Sequence, residues 1–144
     1  MLPEKLVTSL DNGHWEFPEQ LSVKNSGFVY VIFDTVLKRG YIGKKTFKSS
    51  SGVVSNWRSY VSSSKLLAEV LKERPRGEFR FIVLEQYKTK GTLSYAETWS
   101  LCQVEAPTTL KWYNTRIEAV SWSVKEPITD RHKERLNMLK AEVL

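Results

Sequence analysis

The hydrophobic pattern along the chain predicts a β-hairpin followed by a third strand. Residues 27–34 (GFVYVIFD) are an almost unbroken run of β-branched and aromatic residues, which is typical of a buried strand. A connection over 35–39 and a second short strand at 40–45 would complete the hairpin. Residues 78–87 alternate apolar and polar positions, so they predict the third strand.

Helical spacing of apolar residues predicts three helices in the rest of the chain. A serine cluster at 62–64 can cap a helix that ends before Pro75. Ser94 is expected to open a second helix running towards Glu105, and a third helix is expected over 130–144. Together these elements predict a small α+β fold, with a three-stranded antiparallel sheet flanked by helices.

The remaining segments predict irregular structure at both ends of a central domain. Residues 1–26 are mixed and polar, with turn signals, and are expected to form an irregular N-terminal extension. The predicted domain covers 27–115, and its serine-rich stretch at 46–56 predicts a surface loop. Residues 116–144 are expected to form a helical tail that packs on the domain or on a partner chain.

Composition restricts the class of protein. The 144 residues suit one domain, and a hydrophobic fraction of 41% is typical of globular proteins. No apolar run is long enough to span a membrane and no secretory signal is visible, so we expect a soluble, intracellular protein with no membrane partner. Cys102 is a single cysteine, which excludes an internal disulfide, and we expect it to be a small buried hydrophobe. His14 and His132 lie too far apart for a zinc motif.

The basic residues of the chain are concentrated in one part of the sequence. The net charge is +6, yet residues 38–90 hold 13 Lys and Arg against four Asp and Glu, a net of +9. Phe47, Trp57 and Tyr60 lie among these basic residues. Such a basic segment predicts a surface that faces a polyanion, because Lys and Arg gain affinity by displacing the counterions of phosphates. An ordinary solvated surface is the alternative.

A series of short motifs resembles the GIY-YIG nuclease superfamily. Phe28-Val29-Tyr30 is followed, ten residues later, by Tyr41-Ile42-Gly43. The segments WRSYVSSSKLL, EFRFIVLEQY, LSYAETW and WYN then follow in order, and they resemble the phage and mobile-element branch of that family. The resemblance covers roughly residues 27–115. It implies a DNA endonuclease that needs Mg²⁺ or Mn²⁺ and hydrolyses phosphodiester bonds by attack of water on phosphorus.

The resemblance implies that Glu97 holds the metal ion and that Tyr30 orients or deprotonates the attacking water. Each residue also has a structural interpretation. Glu97 follows Ser94 by three residues, which is the spacing of a capping box at a helix start. For Tyr30 the alternative is a packed strand aromatic. Because Val29 and Val31 lie on the opposite face of the strand, we expect core on their face and Tyr30 on the other.

Further roles follow from the same resemblance. The hydroxyl of Tyr41 would hydrogen-bond to the phosphate or the water, or would be a packed aromatic. Gly43 would allow close approach of the backbone, or would be an ordinary glycine at the end of a strand. Lys44 would contact a phosphate, with a solvated lysine as the alternative. Asn114 would tie the active-site loop together without taking part in the chemistry, or would be a turn residue.

The catalytic arginine is assigned by resemblance to Arg58, whose guanidinium would bind the scissile phosphate. Family members usually carry His or Tyr four residues after this arginine, whereas Ser62 stands there in this chain. Either Tyr60 takes that role or Arg58 is one more basic residue. Lys45, Tyr60 and Lys65 are further candidates for DNA binding, together with Lys44 and Arg58.

Two other functions remain open at this point. The chain could be a non-catalytic nucleic-acid-binding module of the same fold, or a protein interaction domain with a decayed site. For a nuclease, DNA is the expected partner, and target choice would come from the basic face, a second copy of the chain or a partner protein. A phage-encoded protein of this kind would act in the cytoplasm of the host cell.

Overall fold

The computed structural model describes residues 2–5, 10–117 and 123–143. Its strands form one antiparallel sheet in the order β2-β1-β3, with β1 at Gly27–Asp34, β2 at Arg39–Thr46 and β3 at Phe79–Tyr87. In the described ranges the α-helices are α1 at Lys65–Glu73, α2 at Lys90–Gln103 and α3 at Asp130–Glu142. The predicted α+β fold with a three-stranded antiparallel sheet is therefore confirmed.

The central strand β1 is buried along its whole length, which explains its unbroken hydrophobic sequence. Tyr30 is paired with Gly43 of β2 on one side and with Val83 of β3 on the other. The register with β3 passes from Val29–Glu85 directly to Tyr30–Val83, so β3 carries one extra residue at this point. A bulge therefore lies beside Tyr30, and bulges of this kind re-aim side chains next to functional sites.

Each face of the sheet carries its own hydrophobic core, so the expectation of core on only one face of β1 is wrong. One face, which we call the helical core, packs Val29, Val31 and Phe33 against α2 and α3. The other, the aromatic core, contains Tyr30 and eight more aromatic residues: Trp15, Phe17, Phe28, Phe47, Trp57, Phe79, Phe81 and Tyr113. Tyr30 is thus enclosed in packed aromatic rings along most of its length.

Residues 10–26 have no named helix or strand, but they cover the aromatic core. The indole nitrogen of Trp15 donates to the carbonyl of Trp57 at 2.5 Å. Glu16 runs along the outer edge of β3, where its amide donates to Phe81 (2.7 Å) and its carbonyl accepts from Val83 (3.1 Å). This segment therefore pairs the edge of β3 that would otherwise be exposed.

The helix starts show one prediction confirmed and one corrected. Ser64 caps α1 by accepting from the amide of Leu67, as its sequence predicted. Helix α2 begins four residues before Ser94, at Lys90, with the Thr89 hydroxyl as its cap. The predicted start at Ser94 is therefore wrong, and so is the capping box that paired Ser94 with Glu97. Cys102 lies near the end of α2 and is exposed, so its predicted burial is also wrong.

Helix α3 packs on the domain itself. Leu136 and Leu139 are buried in the helical core. His132 is also buried, and its ring nitrogens hydrogen-bond to the Ser100 hydroxyl (2.6 Å) and the Tyr87 hydroxyl (3.0 Å), which joins α3 to α2 and β3. Among the described residues, no helix has the length and apolar character needed to cross a membrane.

Candidate active site

A cleft of about 680 Å³ opens along β2, at the edge of the sheet. Its walls come from β1, β2, the start of α1, the middle of α2 and the segment 113–116. The lining residues are Tyr30, Tyr41, Ile42, Gly43, Lys44, Tyr60, Ser63, Ser64, Lys65, Leu66, Glu97, Leu101, Tyr113, Asn114, Thr115 and Arg116. Of the residues predicted for the site, the structure brings Tyr30, Tyr41, Gly43, Lys44, Tyr60, Lys65, Glu97 and Asn114 together here.

Successive side chains of β2 point to opposite faces of the sheet, and side chains from both faces line the cleft. Tyr41 packs against the aromatic core, on the same face as Tyr30. Lys44 points to the opposite face, where its ammonium donates to the hydroxyl of Ser94 on α2 at 2.5 Å. Lys45 lies beside the lining residues, with its ammonium 4.1 Å from the centre of the Tyr60 ring. Because β2 is an edge strand, residues from both faces can meet at one cleft.

Gly43 is required by the position of Tyr30. A Cβ atom at residue 43 would lie 2.5 Å from Cζ of Tyr30 and closer still to its hydroxyl oxygen. The ring of Tyr30 therefore crosses directly over the backbone of β2, and its hydroxyl end reaches the cleft. This packing is the physical reason for a glycine opposite the tyrosine.

Tyr30 is only 1% exposed, and its surroundings disfavour the phenolate form. Burial raises the pKa of Tyr30 well above its usual value, and negative charge on Tyr41, Tyr60 and Glu97 would raise this pKa further. A hydrogen bond with Ser62 acts in the opposite direction. Without a bound cation, the hydroxyl of Tyr30 therefore keeps its proton at neutral pH. In this form it is suited to orienting a water molecule.

Glu97 lies one turn after Ser94 on α2 and lines the cleft. Because the helix starts at Lys90, the carboxylate has no capping box to complete. In the described ranges, no group of three or more His, Cys, Asp and Glu could hold a metal ion. Among the described lining residues, Glu97 is the carboxylate, it stands among hydroxyl oxygens, and none of these residues supplies an imidazole or a thiolate. Such a donor set fits Mg²⁺, which binds through few carboxylates and keeps several waters.

Asn114 fastens the last wall of the cleft to β2. Its side-chain amide donates to the carbonyl of Ile42 (2.7 Å), and its side-chain oxygen accepts from the Ile42 amide (2.9 Å). Next to it, the amide of Tyr113 donates to the carbonyl of Gly40 at 2.7 Å. These contacts are those expected of a residue that ties the loop together.

The structure does not bring Arg58 to the cleft. Its guanidinium forms an ion pair with Asp11 (Nη2 to Oδ2, 3.0 Å) and lies 4.3 Å from the centre of the Trp57 ring. Its carbonyl accepts from the amide of His14, which fixes its backbone to the N-terminal segment. Tyr60, two residues later, does line the cleft.

Ion pairs also change the interpretation of the basic segment. Three of its arginines are paired with acids that lie outside residues 38–90 in the sequence: Arg58 with Asp11, Arg74 with Asp34 and Arg80 with Glu16. The net of +9 therefore overstates the charge offered to a ligand. Sequence reasoning also missed Arg116, a cleft residue that belongs to no motif.

Two tyrosines of the hairpin and one glutamate of α2 share a cleft in a small antiparallel α+β domain. This arrangement is the one expected from the resemblance to GIY-YIG nucleases. A family profile described as "Putative endonuclease segE, GIY-YIG domain" matches residues 13–117, and the chain belongs to this family.

One relative in Enterobacteria phage T4 is similar over part of its length. The chain is 43% identical over 61 residues to its Intron-associated endonuclease 2. That match takes in 41% of this chain and 23% of the phage protein, so the chain spans less than a quarter of that relative. No solved structure matches the chain.

Proposed function

We propose that this chain is a DNA endonuclease that hydrolyses phosphodiester bonds in the cleft along β2. The observation that carries this proposal is the meeting of Tyr30, Tyr41 and Glu97 in one cleft whose walls also hold Lys44 and Lys65. Membership of a GIY-YIG family described as an endonuclease supports the same reaction.

Glu97 is the residue that would hold a divalent cation, Mg²⁺ or Mn²⁺. When bound, such an ion polarises a phosphoryl oxygen and lowers the pKa of a bound water. The half-buried position of Glu97 leaves part of its side chain accessible from the cleft. A carboxylate of this kind can anchor an ion while substrate and water complete its coordination.

The other residues of the cleft position the substrate and the water. The hydroxyl of Tyr30 keeps its proton and orients the attacking water across Gly43. Tyr41 donates to a phosphate oxygen. Lys44 and Lys65 supply positive charge, which stabilises the charge that grows on the phosphate in the transition state.

Lys45 and Tyr60 extend the DNA-binding surface beyond the reacting phosphate. The Lys45 ammonium lies over the Tyr60 ring, which holds both side chains at the rim. The apolar face of α3 packs on the helical core. We therefore assign the choice of DNA target to the basic surface around the cleft, to a second copy of the chain or to a partner protein. For a phage-encoded chain, we place this activity in the host cytoplasm.

A binding module that does not cut DNA is the second candidate. It is favoured by the burial of Tyr30, because a phenol with a raised pKa is a poor base without a nearby cation. Such a module would bind DNA in a salt-dependent way, and a chelator would not change its affinity.

Relaxation of supercoiled plasmid distinguishes the two candidates. The parent chain is assayed with Mg²⁺ or Mn²⁺, with and without chelator, beside Tyr30→Phe and the matched control Tyr95→Phe on the exposed face of α2. The nuclease predicts nicking or linearisation only with metal, loss of cutting in Tyr30→Phe, and parental cutting in Tyr95→Phe. A gel shift without any cutting would overturn the nuclease and support the binding module.

A further inference from the structure

We infer that Arg116 supplies the guanidinium that binds the scissile phosphate, an assignment that rests on the proposed nuclease function. Arg116 lies on the wall of the cleft that also contains Asn114 and Thr115, and it shares that cleft with Glu97 and Tyr41. In the described part of the chain, it is the arginine among the lining residues.

The chemistry of phosphate binding favours an arginine over the two lysines in the cleft. A guanidinium presents a planar fork that can donate to two phosphate oxygens at once, whereas an ammonium acts as a point charge. Lys44 donates to the hydroxyl of Ser94 at 2.5 Å, on the face of β2 that packs against α2. Lys65 is exposed at the first residue of α1. Neither lysine provides the bidentate contact that Arg116 can provide.

The backbone leading to Arg116 is fixed to the sheet. Trp112 forms a parallel bridge with Gly40, and the amide of Tyr113 donates to the Gly40 carbonyl at 2.7 Å. Asn114 makes two hydrogen bonds to the backbone of Ile42. Arg116 follows only two residues later, so its Cα lies within about 7 Å of the fixed Asn114 Cα. The side chain of Arg116 therefore starts from a backbone that is anchored to β2 two residues earlier.

Arg58, the arginine expected from the sequence, has a different task. Its ion pair with Asp11 and its stacking on Trp57 hold it against the N-terminal segment. Gly13 packs so closely there that a Cβ atom would lie 2.6 Å from Cβ of Arg58. Moving Arg58 into the cleft would break these contacts, so we assign it to holding residues 10–26 on the aromatic core.

Single-turnover cleavage of a labelled duplex tests the assignment. Arg116→Ala, Arg116→Lys and Arg58→Ala are compared with the parent and with Arg76→Ala, an exposed arginine outside the cleft. DNA affinity is measured for each protein in chelator, and circular dichroism checks the fold. Guanidinium ion at millimolar concentration is added to each alanine variant, because a free guanidinium can replace a missing ligand contact but cannot repair a structural defect.

The inference predicts that Arg116→Ala loses about 10²- to 10³-fold in cleavage rate. Guanidinium should restore part of that rate, and Arg116→Lys should bind DNA but cut slowly. Parental cleavage by Arg116→Ala, or a rescuable loss in Arg58→Ala alone, would overturn the inference while leaving the nuclease intact. If the parent cuts no DNA, the nuclease fails, and unchanged DNA affinity of Arg116→Ala in chelator then excludes the phosphate contact as well.

Discussion

Replacement of Gly43 by alanine should damage catalysis more than stability. The added Cβ would lie 2.5 Å from Cζ of Tyr30, well inside van der Waals contact. The backbone of β2 is held by its pairing with β1, so the side chain of Tyr30 is the group that must move. The packed rings around Tyr30 make that movement costly. Overpacking of this kind costs about 1–3 kcal/mol of unfolding free energy.

The catalytic cost follows from the displacement of the Tyr30 hydroxyl. A shift of about 1 Å in a positioning group can lower a rate on the order of 100-fold. Gly77 provides a matched control, since a Cβ at that position meets no atom within 4 Å. We therefore expect Gly43→Ala to cut DNA about 100-fold more slowly than the parent, and Gly77→Ala to cut at the parental rate.

The assay is single-turnover cleavage with urea unfolding measured in parallel. Tyr30→Phe lacks the hydroxyl, so adding Gly43→Ala should lower its residual single-turnover rate much less than Gly43→Ala lowers the parental rate, a non-additive result typical of residues in contact. Cleavage by Gly43→Ala within threefold of the parent would refute the reasoning. Fully additive losses would show that the glycine does not act through the Tyr30 hydroxyl.

Three further predictions concern stability, each measured by urea unfolding. Burial lowers the pKa of His132 to about 3. As the pH falls below 6.5, His132 is therefore protonated in the unfolded chain but stays neutral in the folded chain. The free energy of unfolding should drop by about 2 kcal/mol between pH 7 and pH 5 from this residue, and His132→Gln should show a correspondingly smaller drop; an unchanged pH dependence would contradict this. Asp34 is fully buried and accepts from Arg74 and Tyr113, so Asp34→Asn should cost about 3 kcal/mol, and a cost below 1 kcal/mol would count against the ion pair. Asn114→Ala removes both bonds to Ile42 and should cost about 2 kcal/mol, whereas parental stability would show that the loop is held by other contacts.

The elements that sequence predicted well are those whose signal is local. The run from Gly27 to Asp34 gave the bounds of β1 correctly, because the strand is buried on both faces and its hydrophobic run is unbroken between these two residues. The cap at Ser64 is equally local. The start of α2 was missed because Lys90 and Gly91 carry no apolar pattern, although Thr89 was available as a cap.

The features that sequence did not predict depend on contacts between distant residues. The N-terminal segment has no period, so nothing in its pattern shows that Trp15 and Glu16 cover the sheet. Arg58 lies outside the cleft and pairs with Asp11, which is far from it in the chain. Arg116 lines the cleft two residues after Asn114, which bonds to β2, and no spacing rule connects Arg116 with that strand.

The most direct test of the account is the cleavage activity of Glu97→Gln with DNA binding measured in the same preparation. Glutamine keeps the size of the side chain but lacks the charge that would anchor a divalent ion. The matched control is Glu134→Gln, on the exposed face of α3. The account predicts that Glu97→Gln binds DNA and stays folded while its metal-dependent cleavage falls to background. Cleavage by Glu97→Gln at the parental rate would contradict it.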